Sequence, residues 1–161
     1  MKYIVECKPD KLLIKFLTNV PKKSIIHAAN KTEVLKTLLK ATNDAIGIID
    51  EDDPYGPQPS HLQKFKIKND LPSFGLSILQ ENQTEKKLVV IKPRLEDWLL
   101  EAANESGVSF EEYRLPKNAK KLHKIINLNL DKLELILKKL VEAKNNRLRK
   151  LKEILKSFGA I

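Results

Sequence analysis

Ala45-Ile46-Gly47-Ile48-Ile49-Asp50-Glu51-Asp52-Asp53-Pro54 is a short apolar run that breaks off into four consecutive acids and a proline. Residues 45 to 49 can be buried on both sides, as a central strand of a parallel sheet is. Four carboxylates in a row cannot, so the boundary marks the strand's carboxyl end. Open α/β sheets bind their ligands at that rim. Alternate side chains of an extended chain share a side, which puts Asp50 and Asp52 about 7 Å apart along the backbone with carboxylates able to converge on one small cation. Oxygen ligands of this kind suit Mg²⁺ or Mn²⁺ better than zinc. Acids at a strand end also serve as turn formers and helix caps, and the rest of the chain has to decide between the two readings.

Upstream, residues 2 to 6 read as a first strand that ends at Glu6. Pro9 and Asp10 then suit the first turn of a helix, and Leu12, Leu13, Phe16 and Leu17 recur at helical spacing. Ser24 to Ala28 is a second strand. Asn30 with Glu33 makes a capping box for a helix that buries Val34, Leu35, Leu38 and Leu39. Strand, helix, strand, helix, strand with short links is the pattern of a parallel sheet with flanking helices. Downstream, residues 54 to 74 are the least regular part, and Leu62 to Lys68 reads as either a helix turn or an edge strand. Leu76–Gln80 and Leu88–Ile91 are joined by a link so short that they form an antiparallel hairpin. A proline-led helix start follows at Lys92-Pro93-Arg94-Leu95-Glu96-Asp97-Trp98, with Gly107 beyond its end. From Asn118 the chain is helical, with two apolar stripes broken at Asn145-Asn146. The expected fold is α/β, mostly parallel, over residues 1–113, with a basic helical extension over 114–161 that closes over the sheet or projects from it.

In a parallel sheet Glu6 and the Asp50/Asp52 pair share one rim, giving three carboxylates around one crevice if their strands are neighbours. Such crowding is relieved by a divalent ion, which can activate water and neutralise charge on a phosphodiester. These residues resemble the TOPRIM family, the catalytic module of topoisomerases, bacterial-type primases and OLD-family nucleases. The family's motif is a Glu just after the first strand and a D-x-D just after a later central strand, and Glu6, Asp50 and Asp52 match it within a resemblance spanning about residues 2 to 106. The resemblance implies a TOPRIM/Rossmann-like sheet, Glu6 as general acid/base beside the metal, and Asp50 and Asp52 as ligands of Mg²⁺ or Mn²⁺. Cys7 departs from the pattern, standing where the family prefers Gly. Pro93 to Leu100 is similar to a segment of small stand-alone TOPRIM-like proteins, which implies a place for Glu96 near a second metal. First-turn acids that favour the helix dipole are the other reading of Glu96. Lys31, at the start of the second helix, reads as a phosphate contact or as a merely solvated lysine. Trp98 reads as a core anchor, and His27, His61 and His123 lack partners at metal-ligand spacing.

The chain has 161 residues, enough for one domain that hides roughly 70% of the surface its unfolded form exposes. No apolar window is long enough to span a membrane, and no signal-peptide pattern opens the chain. A lone Cys7 agrees with a reducing compartment, so a cytoplasmic protein is expected. Its lysine and glutamate usage fits a thermophile. The net charge of +9 is uneven: residues 1–113 carry 16 Lys+Arg against 17 Asp+Glu, and residues 114–161 carry 14 against 4. The positive excess lies in the extension, which suggests a face for a polyanion with Lys144, Arg147, Arg149 and Lys150 as contacts, or simply solvated helix faces. The apolar stripes there also offer a homodimer contact.

The expected function is Mg²⁺-dependent phosphodiester chemistry on DNA or RNA, that of a nuclease. The alternative is a non-catalytic TOPRIM-like module that binds nucleic acid or protein. A complete topoisomerase or primase needs further domains. A response-regulator receiver needs two acids after its first strand where Glu6-Cys7 supplies one, and no P-loop is present.

Overall fold

The computed structural model describes residues 1–42 and 44–159. Six strands form one sheet: β1 (Lys2–Val5), β2 (Ile25–His27), β3 (Ala45–Asp50), β4 (Phe65–Leu71), β5 (Leu76–Glu81) and β6 (Lys87–Ile91), in the order β2-β1-β3-β6-β5-β4. The pairs β2/β1, β1/β3 and β3/β6 are parallel, and β6/β5 and β5/β4 are antiparallel. The chain moves outward from β1 to β2, then returns past β1 to lay down β3. Glu6 and Asp50 therefore flank the place where the strand order reverses, which is where open sheets form a ligand crevice.

Because β6 runs parallel to β3, with Ile91 in register with Asp50, the start of the next helix also lies at that rim. The irregular segment contains both of its expected alternatives in succession, a 3₁₀ turn over Ser60–Lys64 and then the edge strand β4. Lys66, Ile67 and Lys68 are exposed on β4, and charged side chains of this kind discourage edge-to-edge pairing.

Two-sided burial divides the core. Ile4, Ile49, Leu88 and Val90 face α2 (Lys31–Lys40), while Tyr3, Val5, Ile46, Ile48 and Val89 face α1 (Lys8–Thr18), α3 (Leu95–Ser106) and the three carboxyl-terminal helices. At Gly47 a Cβ would stand 2.8 Å from Leu88 Cδ1 and 3.1 Å from Leu38 Cδ2, so the absence of a side chain is what lets α2 pack closely on β3. The side chain of Asn30 accepts from Glu33 N at 2.9 Å and satisfies one of the free N–H groups that open α2.

The extension comprises α4 (Ala119–Ile126), α5 (Leu130–Glu142) and α6 (Asn146–Gly159). It packs on the sheet and does not project from it. Leu133, Ile136, Leu137, Leu140, Leu148, Leu151 and Leu155 are buried in the same core as Tyr3 and Ile46, each contributing about 1.5–3 kcal/mol of apolar burial. The stripes that would pair two copies of the chain are thus largely internal; Leu135 and Val141 remain exposed. Asn145, between α5 and α6, donates to Ala102 O and Ser106 Oγ and accepts from Arg147 N and Leu148 N, so one buried amide caps α6 and fixes the hairpin to α3. Trp98 is fully buried, and its Nε1 donates to Phe74 O at 2.7 Å, as a core anchor should. No helix among the described residues is long and apolar enough to cross a membrane.

Candidate functional site

The register of β1 on β3 places Val5 beside Ile48, so the residue after β1 meets the end of β3. There Glu6 Oε2 accepts the main-chain N–H of Asp50 at 2.9 Å. Asp50 Oδ1 in turn accepts the N–H of Leu95 at 3.1 Å, one of the donors left free at the start of α3. Leu95 is followed by Glu96, which is 4% exposed and whose Oε1 lies 2.7 Å from His123 Nδ1 on α4. Sequence reading assigned nothing to His123; it is a contact by which the extension reaches this rim.

A further acid completes the group. Asp10 is 2% exposed; its Oδ2 accepts from Cys7 N at 3.3 Å and from Cys7 Sγ at 3.1 Å. Its Oδ1 is buried and has no hydrogen-bond partner among the described residues. Asp10, Leu13, Ile14 and Leu17 are all buried on α1 and follow helical spacing, so the apolar stripe lies one residue round from the Leu12-to-Leu17 reading and carries Asp10 inward. On α3, Glu96 is buried at helical spacing with Leu99 and Ala103.

The electrostatics follow from this crowding. Burial raises the Glu6 carboxyl from 4.5 to about 7, with the Asp50 N–H opposing and the charges of Asp10 and Asp52 adding to the rise. Burial likewise raises Asp50, reinforced by the charges of Asp10, Glu6 and Glu96, and raises Asp10, which also feels Glu96. Burial also pushes the Cys7 thiol up, leaving it a neutral donor to Asp10.

Asp52 lies at the edge of this group. Its φ is +60°, in the left-handed region, and its Oδ2 pairs with Lys31 Nζ at 2.9 Å. Side-chain alternation holds only while the chain is extended; β3 stops at Asp50, and the turn beyond it carries Asp52 away from the shared side. Lys31 is itself 9% exposed and also donates to Glu51 O and Gln58 Oε1, which ties the start of α2 to the acidic loop. The structure therefore brings Glu6, Asp50 and Glu96 together, adds Asp10, and gives Asp52 to a lysine.

Of the tail cations, Arg147 Nε is bound to Glu105 Oε1 at 2.6 Å, and Lys150 pairs with Glu153 at 3.2 Å while lying over the Phe74 ring. Lys144 and Arg149 are exposed, with Arg149 donating to Asn146 Oδ1.

Among the described residues no three His, Cys, Asp or Glu side chains are grouped as a ready metal-ligand set. The donor chemistry nevertheless fits a hard divalent cation. Asp10 Oδ1 is an unpartnered buried acceptor, and Asp50 with the two other carboxyls that act on it, Glu6 and Glu96, offers further oxygens. A cation there would compensate the negative charge that burial disfavours. No family model, curated protein or solved structure matches the chain.

Proposed function

We propose that the chain is a Mg²⁺- or Mn²⁺-dependent phosphodiester hydrolase of TOPRIM-like type acting on nucleic acid, a nuclease. The observation that carries this reading is the buried, unpartnered Asp10 Oδ1 beside Glu6, Asp50 and Glu96 at the carboxyl rim of a parallel sheet. Glu6, Asp10, Asp50 and Glu96 would be the residues to hold the ion. When bound, the ion supplies a polarised phosphoryl oxygen and a water of lowered pKa.

The chain's own groups do the rest. The Leu95 N–H fixes the orientation of Asp50, and His123 fixes that of Glu96. Glu6, raised to about 7, can hold or release a proton near neutrality, which suits a general acid/base. Lys31 keeps the neighbouring loop in place and sets one cation beside Glu6.

Calorimetric titration with Mn²⁺, native chain against Asp50→Asn, tests the site; incubation with labelled single- and double-stranded DNA and RNA in Mg²⁺ or Mn²⁺ tests the reaction. Binding and cleavage that both disappear in Asp50→Asn support the proposal. Cleavage that survives the substitution sinks it.

A second reading is a non-catalytic TOPRIM-like module that binds nucleic acid or a partner protein and retains its acids as a vestige. The pairing of Asp52 with Lys31 favours it, because the second acid of the D-x-D already has a cation. Salt-sensitive binding of nucleic acid without any Mn²⁺ heat would select it.

A further inference from the structure

The carboxyl end of α1 and the α5–α6 turn enclose a cleft of about 500 Å³, within the range of small-molecule and nucleotide sites. Its floor is apolar, made by Phe16, Leu17 and Leu148. Around the floor stand three cations, Lys144, Arg149 and Lys152. All three are exposed, and the ion pairs found among the described residues include none of them. Val141, an exposed aliphatic residue, continues the floor to solvent. The turn carrying Lys144 is held by the four hydrogen bonds of Asn145, so the cations are presented by a fixed frame.

We infer that this cleft binds a single-stranded segment of nucleic acid, with one base against Phe16 and the adjoining phosphates on Lys144, Arg149 and Lys152. A ring-sized apolar floor inside a cationic rim matches the repeating unit of a single strand, a planar base with an anion on either side. A duplex hides its base faces within the stack and offers such a cleft only phosphates. An acidic amphipathic helix needs an extended groove for anchors at several turns, whereas this floor is one aromatic ring and two leucines.

Phe16 lies six residues beyond Asp10 on α1, roughly 9 Å further along the helix axis from the acidic rim. Six of the tail and loop cations thus take different roles. Lys144 and Arg149 contact the strand and Lys152 joins them, while Arg147, Lys150 and Lys31 hold the fold together through Glu105, Glu153 and Asp52. The cleft's role rests on the reading that the chain acts on nucleic acid but not on the metal site.

Fluorescence anisotropy with a short labelled oligothymidylate in EDTA tests the inference without any metal. Replacing Lys144, Arg149 and Lys152 together by Ala should weaken binding more than tenfold and flatten the log affinity against log salt slope by about 2, for three phosphate contacts on a single strand. Phe16→Leu, which keeps an apolar side chain against the core, should weaken single-strand binding about tenfold with the salt slope unchanged. Replacing Lys120, Lys121 and Lys124 on α4 together by Ala removes the same charge outside the cleft and should change affinity far less.

Equal losses in the two triple variants would overturn the assignment, since diffuse tail charge would explain both. So would a duplex competitor as effective as the single strand combined with no effect of Phe16→Leu. Displacement of the oligonucleotide by polyglutamate at equal charge concentration would also overturn it, in favour of an acidic protein partner. Oligonucleotide binding in EDTA by a native chain that shows no Mn²⁺ heat would leave the cleft standing without the metal site, and Mn²⁺ heat without oligonucleotide binding would do the reverse, so failure of the metal site and failure of the cleft give different results.

Discussion

The main-chain N–H of Asp50 donates to Glu6 Oε2 at 2.9 Å, joining the ends of two neighbouring parallel strands through a carboxylate. One such hydrogen bond opposes the rise in the Glu6 carboxyl but does not cancel the effect of burial, so Glu6 reaches about 7. The rim is therefore a place where the fold holds acids that would rather be neutral.

Stability of the metal-free protein should fall as pH rises through the range from about 4.5 to about 7. Below it Glu6 is protonated in both folded and unfolded chains. Within it the folded chain retains a proton that the unfolded chain has released, and above it the folded chain must carry the buried charge. Glu6 alone would account for on the order of 3 kcal/mol, and the raised Asp10 and Asp50 act in the same direction. Urea unfolding at a series of pH values checks this, and Mn²⁺ should flatten the slope. A stability that climbs with pH over the same interval would contradict the electrostatic account.

Asp10→Asn should stabilise the metal-free protein on the alkaline side while weakening Mn²⁺ binding. The amide oxygen can still accept from Cys7 N and Sγ, and the substitution removes a buried charge that has an unpartnered oxygen. The expected gain is about 1–3 kcal/mol. Thermal melts with and without Mn²⁺ should show opposite effects of the one substitution; a lower melting temperature in both conditions would show Asp10 to be a structural cap.

His123→Ala removes the hydrogen-bond partner of a carboxylate that is 4% exposed. The loss should be about 1.5–3 kcal/mol, as for hydrogen bonds to charged groups. Lys124→Ala, at the adjacent exposed position, should lie within about 0.5 kcal/mol of the native chain. Equal unfolding midpoints for the two variants would remove His123 from the site.

Gly47→Ala introduces a Cβ 2.8 Å from Leu88 Cδ1, with Leu38 and Val34 closing the other sides. Overpacking of this kind should cost about 1–3 kcal/mol. Because α2 carries Lys31 and its pairing with Asp52, the same change should loosen the acidic loop, measurable as faster amide exchange at Asp52. Unchanged stability would mean that α2 is free to move off β3.

Local sequence determined much of the architecture. The apolar run at 45–49, the short turn between Gln80 and Lys87, and the Asn145-Asn146 break are written in burial patterning and turn chemistry, which act over a few residues and hold in most contexts. Glu6 and Asp50 were also legible, since parallel pairing places every strand's carboxyl end at one rim. Tertiary structure decided the rest. Whether Asp10 faces solvent or the core depends on the helix rotating by one residue to match the sheet beneath it. Asp52 follows a left-handed turn that Lys31 holds from another element, and His123 reaches Glu96 only because α4 packs on α3. Each of these depends on contacts between elements far apart in the chain, which no local periodicity records.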